Sequence, residues 1–204
     1  MSLIREKVAQ AAALMRELDL PCWLTFVRET GILPEPVMPF LAPGHVTWHS
    51  AFLVPPNGQA VAIVGLYDKK AIEETGAYAR VEGYVEGYKA QLLAALRELD
   101  PPAIAVNYSE ESEVCDGLTH GMYLTLRRVL AEIGYEDRLV SSERLVAALR
   151  ARKTPGELAR IRRAIHETEA IFDEVGRFLA PGRTEQEVAR LVTRLRTERG
   201  LEPA

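Results

Sequence analysis

Cys115, Asp116 and His120 place a thiol, a carboxylate and an imidazole within six residues of one another. These are the groups of a nucleophilic cysteine centre, in which a histidine activates the thiol. A separation of five residues around Gly117 does not by itself bring Cys115 and His120 into contact, and no third group that would orient the imidazole is evident. We therefore predict no catalytic residue in this segment. The simpler expectation is that Asp116 is a loop residue or a cap ahead of a helix over residues 118–133.

His45 and His49 are four residues apart, which is a spacing used by metal-binding histidines on helices. Val46 and Thr47 are β-branched and follow Pro43-Gly44, so the segment is not expected to be helical. No glutamate of the HExxH type lies between the histidines, and no third ligand is apparent. We predict ordinary loop or strand-edge histidines, and no metal site.

Patterns typical of nucleotide or nucleic-acid binding are weak. The glycines do not form a GxGxxG or P-loop motif, being scattered at Gly83, Gly87, Gly117 and Gly121. A basic segment from Arg150 to Arg163 runs into the first of two helices that are joined by a Pro181-Gly182-Arg183-Thr184 turn, which is a helix–turn–helix-like pattern. Interleaved glutamates dilute its charge, and its first helix is long for a DNA-reading motif. A solvated helix face is the better interpretation.

Composition supports the same exclusions. The chain has 204 residues, of which 48% are hydrophobic and 26% charged, as in ordinary globular proteins. Its 25 basic and 29 acidic residues leave a net charge of −4, which does not favour nucleic acid or an anionic membrane as partner. Two cysteines are too few for a disulfide framework, and no run of ~18 apolar residues predicts a membrane span. We expect a cytoplasmic protein that binds neither nucleic acid nor membrane.

Strands and helices alternate over residues 1–140. Asn57-Gly58 lies between two β-prone segments, 50–55 and 59–65, and predicts a hairpin because both residues tolerate positive φ. The other predicted elements are helices at 3–18, 68–75, 88–99 and 118–133 and strands at 22–27, 80–86, 103–108 and 138–141. This order predicts an α/β fold, in which a mixed β-sheet is flanked by helices.

The charge balance and the hydrophobic pattern both change after residue 140. Residues 1–140 contain 12 basic and 19 acidic residues, whereas residues 141–204 contain 13 and 10. We therefore predict one domain over residues 1–140, a linker over 141–153 and a separate C-terminal helical hairpin over 154–204.

Two helices with capping-box sequences are predicted in this last part. Thr154 with Glu157, and Thr184 with Glu187, have the spacing at which each side chain bonds the other residue's backbone N–H. Apolar residues then recur every three or four positions along each helix. They form a predicted self-association stripe of Leu158, Ile161, Ile165, Phe172, Val188, Leu191 and Leu195. Two one-sided helices make a poor core by themselves, so we expect self-association.

Two segments at these helix starts resemble a known family. Together they are similar to the entry into the "pita-bread" domain of Xaa-Pro aminopeptidase/prolidase-type metallopeptidases, the creatinase family. The two segments are Arg152-Lys153-Thr154-Pro155-Gly156-Glu157-Leu158 and, one long helix later, Pro181-Gly182-Arg183-Thr184-Glu185-Gln186-Glu187-Val188. Asn107-Tyr108-Ser109 and Asp116-Gly117-Leu118-Thr119-His120-Gly121 resemble loops of its bacterial members. The resemblance covers the whole chain and is sharpest in its last third.

The resemblance implies a creatinase-type, ribonuclease-H-like N-terminal domain over residues 1–140 and the first two pita-bread helices over residues 154–204. In the family, the strands that follow carry two Asp, one His and two Glu that hold two divalent metals. None of those five positions occurs in this sequence. We therefore expect a truncated hydrolase homologue that has no cofactor and is inactive by itself, the two metals belonging only to a full-length form.

The resemblance also implies partners. The N-terminal domain of one family subunit commonly leans over the active site of its partner, so we expect a homo-oligomer, and specifically a dimer. Tyr108, Asp116 and His120 are then candidates for the rim of a substrate site that would take short proline-containing peptides in a full-length form. The expected role is subunit association and capping of that site. The alternative is a stand-alone, non-catalytic dimerisation or binding module, a pseudo-enzyme.

Overall fold

The computed structural model describes residues 2–202 and divides the chain into two compact units, Met1–Thr154 and Pro155–Ala204. The first unit is built on one mixed six-stranded sheet with the order β4-β3-β2-β1-β5-β6. Its strands are β1 (Trp23–Val27), β2 (Ser50–Val54), β3 (Val61–Gly65), β4 (Arg80–Tyr84), β5 (Ile104–Val106) and β6 (Leu139–Ser141). The first three strands pair antiparallel, and β4, β5 and β6 join in parallel. The mixed sheet predicted from the sequence is confirmed.

Helices cover both faces of this sheet. They are α1 (Leu3–Glu17), α2 (Met38–Leu41), α3 (Leu66–Glu73), α4 (Lys89–Leu99), α5 (His120–Ala131) and α6 (Glu143–Ala151). Alternate residues of β1 point to opposite faces, so Trp23 and Val27 contact the layer that includes α1 and α6, whereas Leu24 and Phe26 contact α4 and α5. Strands β1, β2 and β3 are buried at every position, which explains why they are continuous apolar runs.

The hairpin between β2 and β3 forms where Asn57-Gly58 predicts it. Its turn is closed by the Gly58 N–H, which donates to the Pro55 carbonyl at 3.0 Å. Only Gly58 has a positive φ, of 80°, while the Asn57 side chain accepts from the Gln59 N–H. The two residues therefore stabilise the turn in different ways: the glycine adopts the required backbone conformation, and the asparagine side chain forms a local hydrogen bond.

Residues 141–153 are not a linker, which corrects the predicted domain boundary. Helix α6 occupies most of this range, and its Leu145, Val146 and Leu149 are fully buried in the layer shared with α1. The buried Lys7 of α1 donates to the Leu149 carbonyl at 2.6 Å and to Gln10 at 2.8 Å. The first unit therefore continues to Thr154, because α6 supplies apolar surface that α1 and the sheet need.

The second unit is a pair of helices, α7 (Pro155–Phe178) and α8 (Glu185–Glu198). Its small core contains Ile171, Leu191 and Leu195, with partly buried Val175 and Phe178 against them. The capping box predicted at the start of α8 is present. The Thr184 N–H donates to the Glu187 carboxylate at 2.8 Å, and the Thr184 hydroxyl oxygen accepts from the Glu187 N–H at 3.3 Å.

The predicted self-association stripe divides into two parts in the structure. Leu191 and Leu195 are buried against α7 of the same chain, and Val188 is half-buried, so the α8 residues do not extend a free surface. The four stripe residues of α7 are exposed, and we call these apolar side chains the α7 outer face. They are Leu158, Ile161, Ile165 and Phe172, with exposed fractions of 41%, 42%, 53% and 67%. No helix within residues 2–202 is both long enough and apolar enough to cross a bilayer.

Candidate functional site

The loop that joins β5 to α5 is held at its base by a buried asparagine. The Asn107 side-chain oxygen accepts hydrogen bonds from the Trp23 indole and the Ser142 hydroxyl, both at 2.7 Å, and its NH₂ group donates to Thr25 at 3.0 Å. The Leu118 N–H donates to the Asn107 carbonyl at 2.8 Å and closes the loop. Fully bonded buried polar groups of this kind fix one arrangement of the chain.

This closure brings the three predicted rim residues together. Tyr108, Asp116 and His120 line one cavity of about 500 Å³ on the first unit, together with Ser109 and Tyr123. The sequence placed them on one rim only through the resemblance, and the structure places them in one concave surface. Whether that surface meets a substrate stays a prediction.

The cavity has an aromatic wall and a polar floor. The rings of Tyr108 and Tyr123 meet edge to face, with centroids 6.0 Å apart. Burial, and then the neighbouring Tyr123 and Glu110, raise the pKa of Tyr108, so its phenol stays protonated at neutral pH. Asp116 accepts from the Ser109 N–H at 3.3 Å and is not a helix cap. Thr119 is the cap of α5, since its hydroxyl accepts from the Met122 N–H, and His120 begins the helix in an exposed position.

Cys115 does not belong to this cavity. It is fully buried, and its thiol donates to the Glu143 carbonyl at 3.7 Å while accepting from Ser112 at 3.5 Å. His120 is exposed on the cavity wall. A thiol held in this way is a structural cysteine, and the arrangement offers no activated nucleophile.

His45 and His49 also separate in the structure. His45 lines a cavity of about 260 Å³ beside α2, and His49 lines another of about 350 Å³ at the other end of its segment. Within residues 2–202 no three His, Cys, Asp or Glu side chains come together where they could hold a metal ion. The residues in this part of the chain therefore do not fit the paired metals that the sequence resemblance implies for a full-length form.

A buried carboxylate lines the cavity beside α2 that also contains His45. Glu35, from the loop after β1, is 4% exposed, and its Oε1 accepts from the Val37 N–H at 3.4 Å. Its Oε2 is buried without a hydrogen-bond partner among the described residues. Burial raises the pKa of Glu35 to about 7. Hydrogen bonds from the Val37 N–H and the Asn107 side chain lower this pKa in part, and the charge of Asp116 raises it further. The carboxyl group lies directly against Gly117, where a Cβ atom would approach Oε2 to 1.8 Å.

Sequence reasoning missed the cavity that His49 lines. Trp48, Tyr84 and Tyr88 share its wall, with Glu29 and Glu86 at its edge. These residues come from the segments after β1 and before β2, from the end of β4 and from the turn before α4, so no single segment contains the pattern.

The Tyr108 cavity presents phenol hydroxyls, one imidazole and one carboxylate, groups that can orient a small polar or peptide-like molecule. The Ser109 hydroxyl on its wall donates to the Glu143 carboxylate at 2.6 Å and accepts from the Ser112 N–H at 2.9 Å, so this hydroxyl is engaged within the loop.

Comparison with known proteins shows a likeness in structure only. No protein-family model and no curated protein sequence matches the chain. An Xaa-Pro dipeptidase from Bacillus anthracis matches with a TM-score of 0.65 and 16% identity, over 96% of this chain and 49% of that chain. X-Pro aminopeptidase from Thermotoga maritima matches with a TM-score of 0.62 and 19% identity, over 95% and 49%. Dipeptidase PepE from Mycobacterium ulcerans matches with a TM-score of 0.62 and 20% identity, over 96% and 49%.

The chain thus spans about half the length of the solved structures that it matches. The matched part is their N-terminal part. The chain has the fold of the N-terminal half of Xaa-Pro dipeptidases and prolidases.

Proposed function

We propose that this chain is the N-terminal portion of an Xaa-Pro peptidase-like protein, in which it mediates subunit association and covers the substrate site of a partner subunit. The observation that carries the proposal is the structural match over 95–96% of the chain to solved X-Pro peptidases. The low identity limits that match to the fold, so association and covering are inferred from surfaces of the chain itself.

The α7 outer face supports association. Its four apolar side chains lie three, four and seven residues apart on one side of a 24-residue helix. An apolar surface of this length is costly to leave in water, and a second copy of the chain carries the same surface. We assign the α7 outer face to a contact between copies.

The Tyr108 cavity supports the covering role. It is concave, and it combines two phenols, an imidazole and a carboxylate that can contact a peptide. Hydrolysis itself is assigned to a metal-binding part of a longer protein, because the described residues offer no metal cluster. By itself the chain is proposed to bind and not to hydrolyse.

The oligomeric state tests the association. Size-exclusion chromatography with light scattering should give a dimer whose population rises with protein concentration. Phe172→Asp places a charge on the α7 outer face and should give a monomer. Leu124→Asp is the matched control, since Leu124 is an exposed apolar residue of α5 and 45% exposed. A monomeric wild type, or a Phe172→Asp variant that stays dimeric, would contradict the proposed association through the α7 outer face.

Turnover and peptide binding test the second part of the proposal, that the chain covers a substrate site and does not itself hydrolyse peptides. The purified chain, supplied with Mn²⁺, should not hydrolyse Ala-Pro, and chelator-sensitive hydrolysis would contradict the proposal. In an isotope-labelled sample, Ala-Pro should shift the amide resonances of Tyr108, Asp116 and His120. Shifts confined to other residues, or no shifts at all, would withdraw these three residues from the substrate rim.

The alternative is a stand-alone, non-catalytic dimerisation module. It predicts the same dimer but no response of the Tyr108 cavity to Ala-Pro. The peptide titration therefore separates the two functions, while the α7 variants test what they share.

A further inference from the structure

The cavity lined by Trp48, His49, Tyr84 and Tyr88 has no part in the proposed function. It encloses about 350 Å³ on the first unit, where the end of β1, the start of β2 and the turn between β4 and α4 come together. This volume is within the range of small-molecule sites in proteins.

The aromatic rings that line it are held by one another. The Trp48 and Tyr84 ring centroids lie 5.8 Å apart, and His49 stacks on Tyr88 at 5.0 Å with an interplanar angle of 18°. The Tyr84 hydroxyl donates to the His49 carbonyl at 2.7 Å. Trp48 lies so close to Gly65 that a Cβ atom there would come within 2.9 Å of the indole. A wall fixed in this way loses little side-chain entropy when a ligand binds.

The charges at the cavity are mostly negative. Glu29 and Glu86 line it together with one cation, Arg28. Burial, and then Arg28, lower the pKa of His49, so its imidazole is uncharged at neutral pH. Two acidic groups thus face one basic group at the opening.

We propose that this aromatic cavity binds a small organic cation, an alkylated ammonium group of the kind that choline carries. The electron-rich ring of half-buried Trp48 attracts a cation that is weakly hydrated, and Glu29 and Glu86 add long-range attraction. Tyr84 and Tyr88 are buried and pack against Trp48 and His49 respectively. An inorganic metal ion is a poor fit, because the described part of the chain contains no cluster of ligating side chains.

A pair of ligands that match in shape tests the role of charge. Choline and 3,3-dimethylbutan-1-ol differ mainly in having a nitrogen cation or a neutral carbon at the branch point. Calorimetric titration should detect choline binding below about 10 mM and at least tenfold weaker binding of the neutral alcohol. Equal affinity for the two, or no choline binding in that range, would overturn the proposal.

Variants then locate the site and test the sign of its charge. Trp48→Leu should weaken choline binding about tenfold, and Glu86→Gln about threefold. Arg28→Gln should tighten it about threefold, because it removes the only cation that lines the cavity. Glu113→Gln is the control, an exposed glutamate on another loop, and should change nothing.

The opposite effects of Arg28→Gln and Glu86→Gln guard against a merely structural explanation. Both residues are exposed, so neither substitution should disturb folding even if Trp48→Leu does. If acetate bound more tightly than choline, with Arg28→Gln abolishing that binding, the cavity would be an anion site and the proposal would be wrong.

Discussion

Gly117→Ala should destabilise the first unit by a direct clash with Glu35. The new Cβ atom would lie 1.8 Å from Oε2 and 2.1 Å from Cδ of the glutamate, far inside the distance of any real contact. Glu35 is 4% exposed and lines the cavity of about 260 Å³ beside α2, so its carboxyl must shift toward that cavity or the loop after β1 must move. Gly117 does not have a positive φ, so the cost is steric and not conformational. Overpacking of this kind costs about 1–3 kcal/mol, or roughly 2–12 °C in Tm.

The assay can be confined to the unit that contains the clash. The chain has two tryptophans, Trp23 and Trp48, and both are in the first unit. Urea unfolding followed by tryptophan fluorescence therefore reports the free energy of unfolding of that unit. Gly121→Ala is the matched control: its Cβ would meet nothing within 4 Å, and it lies in α5, where alanine is favoured over glycine by up to about 1 kcal/mol.

A double-mutant cycle with Glu35→Ala isolates the contact. Glu35→Ala removes the group that the new methyl meets, so Gly117→Ala should cost less than about 0.5 kcal/mol in that background. If Gly117→Ala were as stable as Gly121→Ala, or if its cost were unchanged without the Glu35 carboxyl, the packing of Glu35 on Gly117 would be refuted.

Two further predictions concern buried charged groups. The pKa of Glu35 is raised to about 7, so the wild type loses stability as the pH rises from about 4.5 to 7 and this carboxyl ionises. Glu35→Gln removes that loss. The free energy of unfolding of the variant minus that of the wild type should therefore be larger above pH 7 than at pH 5, by ~2–3 kcal/mol at most. Urea unfolding at several pH values checks this, and parallel pH profiles for the two proteins would contradict it. Lys7→Met should cost about 2–3 kcal/mol, because the buried ammonium is bonded to the Leu149 carbonyl and to Gln10. Lys70→Met, at an exposed position of α3, is the control, and equal losses in urea unfolding would count against the role of Lys7.

Elements set by neighbouring residues could be predicted from the sequence. The turn at Asn57-Gly58 and the capping box of Thr184 and Glu187 depend on side chains a few residues apart, so their chemistry is written in one segment. The burial of β1, β2 and β3 on both faces likewise follows from continuous apolar runs.

Helix α6 was missed for a physical reason. The linker predicted at residues 141–153 rests on the change in net charge and on the end of strand–helix alternation near residue 140, and neither shows which apolar face a segment buries. Leu145, Val146 and Leu149 have helical spacing, which a reading of hydrophobic pattern alone would have favoured. Ser142 does not cap the helix by its side chain, since its hydroxyl is bonded to Asn107.

The two candidate cavities also differ in whether neighbouring residues or distant segments form them. Tyr108, Asp116 and His120 lie within 13 residues of sequence, and one backbone bond from Leu118 to Asn107 closes the loop that gathers them. The aromatic cavity is different, because Trp48 and Tyr84 meet only through the pairing of β2, β3 and β4. A site assembled by strand order has no signature along the chain.

The proposed contact between copies would make folding of the second unit sensitive to concentration, because the core of that unit is small. Helices α7 and α8 enclose Ile171, Leu191 and Leu195, and the apolar α7 outer face is left in water. A helix pair with so little buried surface gains much of its stability from whatever covers the exposed side. Backbone amides of α7 and α8 should therefore exchange with solvent faster than those of the sheet, and should slow as the chain is concentrated. Under the proposed association, assembly and helix formation would be one equilibrium, in which dilution should unfold the helices as well as separate the copies.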